Sequence, residues 1–401
     1  MTARPSPWQP LHVSAFRSLW IAQLVSNVGT WMHLVAAQWQ VAESGSSVLV
    51  GLVQTATSLP VLLLAVTGGW LGDVLDRRRV LLVTNVAMLL ASLTLGMVTL
   101  IGAGTPLVVL GGTALLGVGT AVLLPTWQAI IPSLVGRENI AQAAALGGVS
   151  INLARVVGPA IGGVGVALLG PGWVFLVNGL TFAAMVVAAW KWRAAAHEKA
   201  ENRPRWTGGF SHLRDSRDFR VVLALLSSYT LPASAPWALL PVVARAELGA
   251  SSEHYGVLLT SAGVGAIVGA AVLPGVIRLA GAAPTLCLAF LVTGLSCLSV
   301  PTWGGGPVWL PALAMVCLGI GWLSMLSSLN VRAHHTMPDA IRARGMSVYV
   351  MSHHGAQAVG GLLWGTLASL WTAPMALVGA GSVLVLTAGA AGAVARSRGG
   401  R

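Results

Sequence analysis

Ionisable side chains are scarce in this sequence of 401 residues, so the few that interrupt its apolar runs are the first candidates for chemistry. Asp, Glu, Lys and Arg make up 8% of the residues, whereas 55% are apolar. Arg155 stands within one apolar run, and His33, His353 and His354 stand within two others. A guanidinium can bind an anion or a carbonyl group, and an imidazole can exchange a proton near neutral pH. No Asp or Glu interrupts these runs, so a carboxylate could carry a proton only at their ends.

These residues do not form the pattern of an enzyme. No nucleophile, base and orienting acid occur at the spacing of a catalytic site, and no Gly-x-x-x-x-Gly-Lys-Ser/Thr loop is present to bind ATP. The three cysteines lack the spacing of metal ligands, and the adjacent His353 and His354 project from different helix faces. We therefore expect no enzyme activity, no metal and no cofactor. A membrane enzyme that uses the two histidines is the remaining alternative of this class.

The apolar runs that hold these residues have the length of membrane-spanning helices. About 20 residues of α-helix cross a hydrocarbon layer of about 30 Å. Breaks at Gly, Pro and charge clusters separate twelve such runs. We predict an all-α integral membrane protein with twelve transmembrane helices. Their predicted centres lie near Gly29, Leu59, Leu90, Val118, Arg155, Ala183, Thr230, Val264, Val292, Leu318, Gly355 and Gly381.

The distribution of basic residues predicts the orientation of these helices. Of the 23 Lys and Arg residues, only Arg245 falls in a loop that follows an odd-numbered helix. Because basic loops stay in the cytoplasm, both termini are predicted to be cytoplasmic, and the chain to lie in a bacterial inner or plasma membrane. The net charge of +12 follows from this topology, so we expect the lipid bilayer and no nucleic acid as its surroundings.

A hydrophilic stretch divides the helices into two sets of six. We predict an N-terminal six-helix bundle over residues 1–190, a cytoplasmic basic linker over 191–220 and a C-terminal six-helix bundle over 221–401. Repeated bundles of this kind hold a substrate near the midplane and work by rocking one half against the other. We expect a monomer with two bundles around a central cavity.

Polar side chains within the helices are candidates for lining that cavity, because hydrocarbon cannot satisfy their hydrogen bonds. The first helix carries a polar stripe that includes Gln23, Asn27 and Gln38. Tryptophans inside the helices could form flat walls for an organic solute or face lipid, whereas those near helix ends, such as Trp20 and Trp303, are expected to anchor at the headgroups. The residues predicted for substrate contact or coupling are Gln23, Asn27, Trp31, His33, Trp127, Gln128, Asn152, Arg155, Tyr229, Trp237, Asn330, His354 and Gln357.

Two roles remain open for Arg155, which lies near the middle of the fifth predicted helix. A charge at that depth costs at least about 2.5 kcal/mol, so it should face a cavity or a partner. It could bind an anionic group of the substrate or serve in coupling. Alternatively, it could be a structural centre that bonds to Asn152, to glutamines and to backbone carbonyls. For His33, packing in a helix interface is the alternative to proton transfer.

The segment "GGWLGDVLDRRRVLL", residues 68–82, places five charges within seven residues. We predict that helix 2 ends near Leu71 and helix 3 begins near Val80, and that the three glycines close a tight cytoplasmic turn. Such a turn could hold the cytoplasmic gate of a two-state transporter. The alternative is that its charges only fix the orientation of the flanking helices.

The order of glycine and charges in this segment resembles the signature between helices 2 and 3 of the major facilitator superfamily, Gly-x-x-x-Asp-Arg-x-Gly-Arg-Arg. Together with residues 125–163, it is similar to the branch that contains the enterobactin exporter and the macrolide efflux proteins. The arginine expected after the first aspartate is Val74 here, which puts the gate contact of that residue in question. The resemblance implies the major facilitator fold. It also implies a cytoplasmic gate formed by Gly69, Asp73, Asp76, Arg77, Arg78 and Arg79.

A second segment resembles the antiporter motif of the same superfamily, Gly-x-x-x-Gly-Pro-x-x-Gly-Gly. Its residues are Gly158, Pro159, Gly162 and Gly163, with Ala154 at the first glycine. Glycines four residues apart let a neighbouring helix approach closely, and proline removes one backbone hydrogen bond. The resemblance implies export, whereas ordinary packing of small residues is the alternative.

These features predict a secondary transporter that exports a small amphipathic organic molecule of drug, macrolide or siderophore type. Alternating access with proton antiport is the expected mechanism. An importer of organic solutes or a lipid flippase of the same fold is the first alternative. A membrane sensor that does not transport is the alternative from a different class.

Overall fold

The computed structural model describes residues 6, 8–74, 76–192, 216–304, 307, 309–338 and 341–396. Within these residues the chain forms twelve long α-helices and no β-strand, and each helix covers one predicted centre. The prediction of an all-helical chain with twelve long helices is confirmed. The helices are α1 (Ser14–Ala42), α2 (Ser47–Val74), α3 (Arg77–Leu100), α4 (Pro106–Val135), α5 (Ile140–Leu169), α6 (Pro171–Lys191), α7 (Arg217–Ala246), α8 (Ser252–Ala280), α9 (Ala282–Leu298), α10 (Trp309–His335), α11 (Arg342–Leu370) and α12 (Ala373–Arg396).

Nine helices in the described residues are long and apolar enough to cross a membrane. The helix α9 is apolar but shorter, with 17 residues. The helices α1 and α11 are long but less apolar, because they carry amide and histidine side chains. Helices suit the bilayer because each backbone N–H and C=O is satisfied within its own segment. The chain is therefore a multi-pass membrane protein.

The junction between α2 and α3 differs from its prediction. The helix α2 continues to Val74, and α3 begins at Arg77. The predicted end near Leu71 and the predicted start near Val80 are therefore wrong, because both helices extend into the charged segment. The three glycines expected in the turn lie inside α2 instead.

The chain divides into two compact units. The first contains α1 up to Ala37, α2 from Leu63 onwards and α3 to α6. The second contains Gln38–Leu62 and α7 to α12. Most of the predicted linker over 191–220 lies outside the described residues, so that boundary stays a prediction.

Corresponding helices pair in the same way within each unit. In the first unit α3 packs on α6, where a Cβ atom on Gly96 would lie 2.9 Å from the carbonyl oxygen of Gly172. In the second unit α9 packs on α12, where a Cβ atom on Gly294 would lie 2.9 Å from the carbonyl oxygen of Gly381. Only glycine permits such close contact between backbones. The third and sixth helices of each half thus form equivalent pairs, as a repeat of six helices requires.

Candidate functional site

A cavity of about 470 Å³ lies within the first unit, lined mainly by α1, α4 and α5. Its walls combine aromatic rings, aliphatic side chains, amides and hydroxyls, which is the usual composition of a site for an organic molecule. On α5 the wall includes Gly147 and Gly148, where an added Cβ atom would meet no atom within 4 Å. Four residues predicted from the sequence line the cavity, namely Gln23, Asn27, Trp127 and Gln128.

The polar stripe of α1 forms a hydrogen-bond chain along the cavity wall. The Nε2 atom of Gln23 donates to Oδ1 of Asn27 at 2.9 Å. The Nδ2 atom of Asn27 donates to Oγ of Ser150 on α5 at 3.1 Å. Sequence reasoning missed Ser150, because a single serine in an apolar helix gives no signal of its partner. These hydrogen bonds hold the amides of Gln23 and Asn27 at the cavity wall, where a polar group of a ligand could bond to them.

Trp20 has a different environment from the one predicted. It lines the cavity, and its Nε1 atom donates to the carbonyl oxygen of Leu146 at 2.9 Å. Trp303 is also no headgroup anchor, because it is buried and its Nε1 atom donates to Oγ of Ser299 at 3.1 Å. In both cases the indole N–H group donates to a specific oxygen of the protein and not to the headgroup layer of the membrane.

Arg155 and Trp31 lie next to the inner end of the cavity, where Arg155 follows the lining residue Ile151 by one turn and Trp31 directly follows the lining residue Thr30. The guanidinium carbon of Arg155 is 5.6 Å from the ring centroid of Trp31, within the range of a cation–π contact. Its Nε atom is buried without a hydrogen-bond partner among the described residues. The amide of Asn152 donates to the carbonyl oxygen of Gly148 on its own helix at 3.0 Å. Asn152 is thus bonded to the backbone of its own helix, unlike in the structural alternative considered above.

The glycines of the antiporter motif are buried and lie against α1. A Cβ atom on Gly158 would lie 2.5 Å from Cβ of Trp31, and one on Gly162 would lie 2.9 Å from Cα of Met32. Pro159 and Gly163 of the same motif are buried as well. The motif therefore provides the close approach between α5 and α1 that places Trp31 beside α5.

His33 lies in the core of the first unit and outside the cavity wall. It is 3% exposed, and its Nε2 atom lies 3.1 Å from Oγ1 of Thr113 on α4. Its ring centroid is 4.9 Å from that of Phe175 on α6. The packing of His33 between three helices matches the interface alternative, and the Nδ1 atom has no partner among the described residues.

The second unit contains a cluster of aromatic rings and histidines, which we call the aromatic–histidine cluster. Trp322 on α10 lies 5.4 Å from Trp237 on α7 and 5.9 Å from His353 on α11, measured between ring centroids. The rings of His353 and His354 are 5.3 Å apart. Tyr229 completes the cluster at 6.1 Å from Trp322.

Polar atoms of this cluster differ in how they are satisfied. The hydroxyl of Tyr229 lies 2.7 Å from Oγ1 of Thr293, so this predicted residue is a bonded core residue. The Nδ1 atom of His353 lies 3.4 Å from Oγ1 of Thr230. By contrast, Nδ1 of His354 is buried without a hydrogen-bond partner among the described residues.

The remaining predicted residues of the second half lie along α10 and α11. The Oε1 atom of Gln357 accepts a hydrogen bond from Oγ of Ser58 on α2 at 3.3 Å. Beside it, a Cβ atom on Gly51 would lie 2.2 Å from the carbonyl oxygen of Gly361. Asn330 is half-buried on α10. The contact of α2 with α11 was not predicted, because the glycines of α11 give no sign of which helix they meet.

Gln38 is the residue whose role sequence reasoning left least defined. Its Nε2 atom donates to the carbonyl oxygen of Trp237 on α7 at 2.7 Å, and its Oε1 atom accepts from the hydroxyl of Tyr255 on α8. Both ends of the amide are thus bonded within the second unit. The end of the polar stripe is therefore a structural connection and is not part of the cavity.

The charged residues at the start of α3 form hydrogen bonds with other helices of the first unit. The Oδ1 atom of Asp76 accepts from the backbone N–H groups of Arg78 at 2.8 Å and of Arg79 at 3.4 Å, which caps α3. Arg78 donates to the carbonyl oxygens of Ala189 and Trp190 at the end of α6, where the helix dipole is negative. Arg77 likewise donates to a carbonyl oxygen of α4 at 2.6 Å. Gly69 and Asp73 lie in α2, and their side-chain positions are outside the described part of the structure.

The whole chain is similar to proteins that move organic molecules across membranes. A family profile of transmembrane secretion effectors matches residues 5–398. An enterobactin exporter of Shigella boydii is 30% identical over 391 aligned residues, which cover 89% of this chain and 86% of the relative. A staphyloferrin A transporter of Staphylococcus aureus is 25% identical over 289 residues, which cover 68% of this chain and 70% of the relative.

Solved structures with the same fold are transporters. A crystal structure of a mutant of the nucleoside transporter NupG superposes with a TM-score of 0.79 at 12% identity, covering 94% of this chain and 99% of that one. An inward-facing bacterial homologue of the iron transporter ferroportin gives a TM-score of 0.69 at 14% identity, covering 94% and 98%. At such low identity these similarities establish the fold alone. The family profile, which matches residues 5–398, and the enterobactin exporter at 30% identity show that the chain is a transporter and not an enzyme, and that it belongs to the transmembrane secretion effector family of the major facilitator superfamily.

Proposed function

We propose that this protein exports a small amphipathic organic molecule from the cytoplasm in exchange for protons, by alternating access. The observation that carries the proposal is the position of the cavity in the first unit. Its wall uses the beginning of α1, the end of α4 and the beginning of α5. According to the distribution of Lys and Arg, those helix ends face the cytoplasm. A cavity near them would receive its ligand from inside the cell.

The chemistry of the wall supports the substrate class. Trp20 and Trp127 offer flat apolar surfaces, and the amides of Gln23 and Asn27 offer hydrogen bonds. The relatives are named for enterobactin and staphyloferrin A, so a siderophore is the first candidate, with a drug or macrolide as the second.

The aromatic–histidine cluster supports proton exchange. Acidic residues in the described helices lie within two residues of a helix end, as Asp73, Asp218 and Glu253 do. Deeper in the described helices, the side chains whose ordinary pKa is near neutrality are therefore histidines. Both His33 and His354 have an Nδ1 atom without a partner among the described residues, but His33 is enclosed in a core, whereas His354 is half-buried and therefore the better candidate to exchange a proton.

Transport into inside-out vesicles of the cell membrane tests this proposal. We expect an imposed proton gradient to drive uptake of enterobactin, staphyloferrin A or erythromycin, and a protonophore to abolish it. Uptake by whole cells without uptake by inside-out vesicles would support an importer instead. Movement of a labelled phospholipid would support a flippase, and binding without any transport would support a sensor. Tags at both termini that react only in permeabilised cells would support the orientation.

A further inference from the structure

We propose that Arg155, with Trp31, forms an anion subsite at the inner end of the cavity and binds a carboxylate or similar acidic oxygen of an organic substrate. The inference deepens the proposed function and rests on it for the identity of the cavity as the transport site. Three features of the described residues support it. Among these residues the guanidinium of Arg155 has no acidic partner, Arg155 and Trp31 lie beside the cavity, and the N–H groups of the guanidinium are left for a ligand.

Arg155 makes no ion pair and no hydrogen bond with the described residues. Its contact is the face of Trp31, which attracts the cation but accepts none of its N–H groups in the plane. A guanidinium has five N–H donors, and leaving them unbonded away from water is costly. As the structural centre that the sequence also allowed, Arg155 would need carbonyl or amide groups as partners. The amide of Asn152 bonds to the backbone of α5 instead.

A second arginine of the chain shows what a satisfied pair looks like. Arg245 lies over Trp39 at 5.5 Å, almost the same distance as in the Arg155–Trp31 pair. Its Nη1 atom also lies 3.4 Å from Oε1 of Glu43, which supplies the negative charge. Among the described residues, Arg155 has a tryptophan ring beside it but no acid. The missing component is an anion, and a ligand can supply it.

The pair lies on the helix faces that form the cavity wall. On α5 the lining residues Gly147 and Ile151 are four residues apart, and Arg155 follows after four more. On α1 the lining residue Asn27 precedes Trp31 by four residues. Four residues of helix rise about 6 Å, so Arg155 stands one turn beyond the last lining residue of α5, whereas Trp31 directly follows the lining residue Thr30 on α1. A ligand in the cavity can therefore place one end beside the guanidinium.

The contact between Arg155 and Trp31 determines which chemical group of a ligand fits beside the guanidinium. Trp31 lies on one side of the guanidinium and accepts none of its N–H groups in the ring plane, so these donors are left for a ligand, and two parallel N–H groups match the two oxygens of a carboxylate. The rest of the ligand would extend toward the Gln23–Asn27–Ser150 chain and the indoles of the wall. The fitting ligand is an amphipathic organic acid.

Binding of a matched acid and amide to the full-length protein tests this assignment. The probes are 1-naphthoate and 1-naphthamide, measured by calorimetry on protein in phosphatidylcholine nanodiscs at pH 7. We expect the wild-type protein to bind naphthoate about tenfold more tightly, as one charge-assisted hydrogen bond allows. Arg155→Met should remove that preference. Arg245→Met is the matched control, since it removes an arginine from an equivalent tryptophan, and the preference should remain.

Several outcomes would overturn the subsite. These are equal binding of the two probes by the wild-type protein, no binding of naphthoate, or an unchanged preference in Arg155→Met. If that variant does not fold, Arg155→Gln gives the same readout with a residue that can still bond to carbonyls. A preference that disappears when phosphatidylglycerol replaces phosphatidylcholine, while naphthoate still binds as tightly to Arg155→Met as before, would assign Arg155 to an anionic lipid headgroup instead. No proton gradient is used, so failure of export in vesicles would contradict the proposed function and leave this subsite standing.

Discussion

The helix α1 carries two tryptophans that each lie against an arginine, and the two pairs differ in everything except that contact. Arg155 and Trp31 are half-buried in the first unit, beside the cavity, and no acid accompanies them among the described residues. Arg245 lies over Trp39 in the second unit, where it is exposed and paired with Glu43. Solvent and a carboxylate satisfy Arg245. The comparison shows that the same contact can complete a structural pair or leave a charge available for a ligand.

A difference in burial separates the two histidine regions. His33 has a hydroxyl partner and an aromatic neighbour within the core of the first unit. His354 has a histidine ring beside it and a buried ring nitrogen without a partner in the described residues. Nδ1 of His33 also has no partner among the described residues, so the two histidines differ in burial: His33 is 3% exposed, whereas His354 is half-buried. A half-buried ring can exchange a proton with its surroundings more readily than an enclosed one.

The largest effect is expected where the Arg155–Trp31 pair is held together. Replacing Gly158 with leucine should prevent α1 from approaching α5, because even a Cβ atom there would lie 2.5 Å from Cβ of Trp31. We expect loss of the folded protein, seen as aggregation in size-exclusion chromatography. Gly158→Ala, which adds one methyl group, should cost about 1–3 kcal/mol by overpacking and lower the melting temperature.

Gly111→Ala is the control for this effect. Gly111 lies in α4, and an added Cβ atom would meet nothing within 4 Å, so alanine should be neutral or stabilising by up to about 1 kcal/mol. Equal melting temperatures for Gly158→Ala and Gly111→Ala would show that the motif does not set the contact between α1 and α5.

The fold was predictable because hydrocarbon length, basic loops and breaks at glycine and proline each act locally. Every predicted helix centre lies inside a helix, but the start of α3 was not predictable. The run of three arginines indicated a loop, whereas the carboxylate of Asp76 caps them into the first turn. Two of these arginines bind carbonyl groups of α4 and α6, which lie more than 50 residues away in sequence. Local patterns contain no information about such partners.

The next largest effect should appear at the histidines. His354→Gln removes the free imidazole nitrogen, so uptake driven by a proton gradient into inside-out vesicles should fall to background. Exchange of labelled for unlabelled enterobactin without a gradient should continue, because exchange needs no net proton movement. His334→Gln, at the end of α10, is the control and should keep both activities. If His33→Gln abolishes gradient-driven uptake and His354→Gln does not, the enclosed histidine is the carrier and the distinction between the two regions fails.

A moderate effect is expected from the amide chain of the cavity. Asn27→Leu removes the partner of both Gln23 and Ser150 and keeps a side chain of similar volume. The loss of one hydrogen bond to a ligand is about 1 kcal/mol, which corresponds to about a fivefold rise in KM for enterobactin. Vesicle uptake at varied enterobactin concentration measures it. An unchanged KM would place the ligand away from α1.

Half of the candidate site was predictable and half was not, for a physical reason. Polarity within an apolar helix is visible in sequence, so Gln23, Asn27 and Arg155 could be selected. The pattern does not show whether a polar group is already bonded, and Tyr229 is bonded within a core. Only the positions of neighbouring helices separate satisfied groups from available ones.

The smallest effect should come from the paired arginine, and it tests the comparison most directly. The side chains of Arg245 and Glu43 are 44% and 53% exposed, so water screens their attraction. A double-mutant cycle with Arg245→Met and Glu43→Gln should give a coupling free energy of about 0–1 kcal/mol in thermal unfolding. Uptake of enterobactin should be unchanged in each single variant, since a charge that is already paired and hydrated has little to offer a substrate. A coupling well above this range, or a loss of enterobactin uptake in Arg245→Met, would mean that the acid does not distinguish the two pairs.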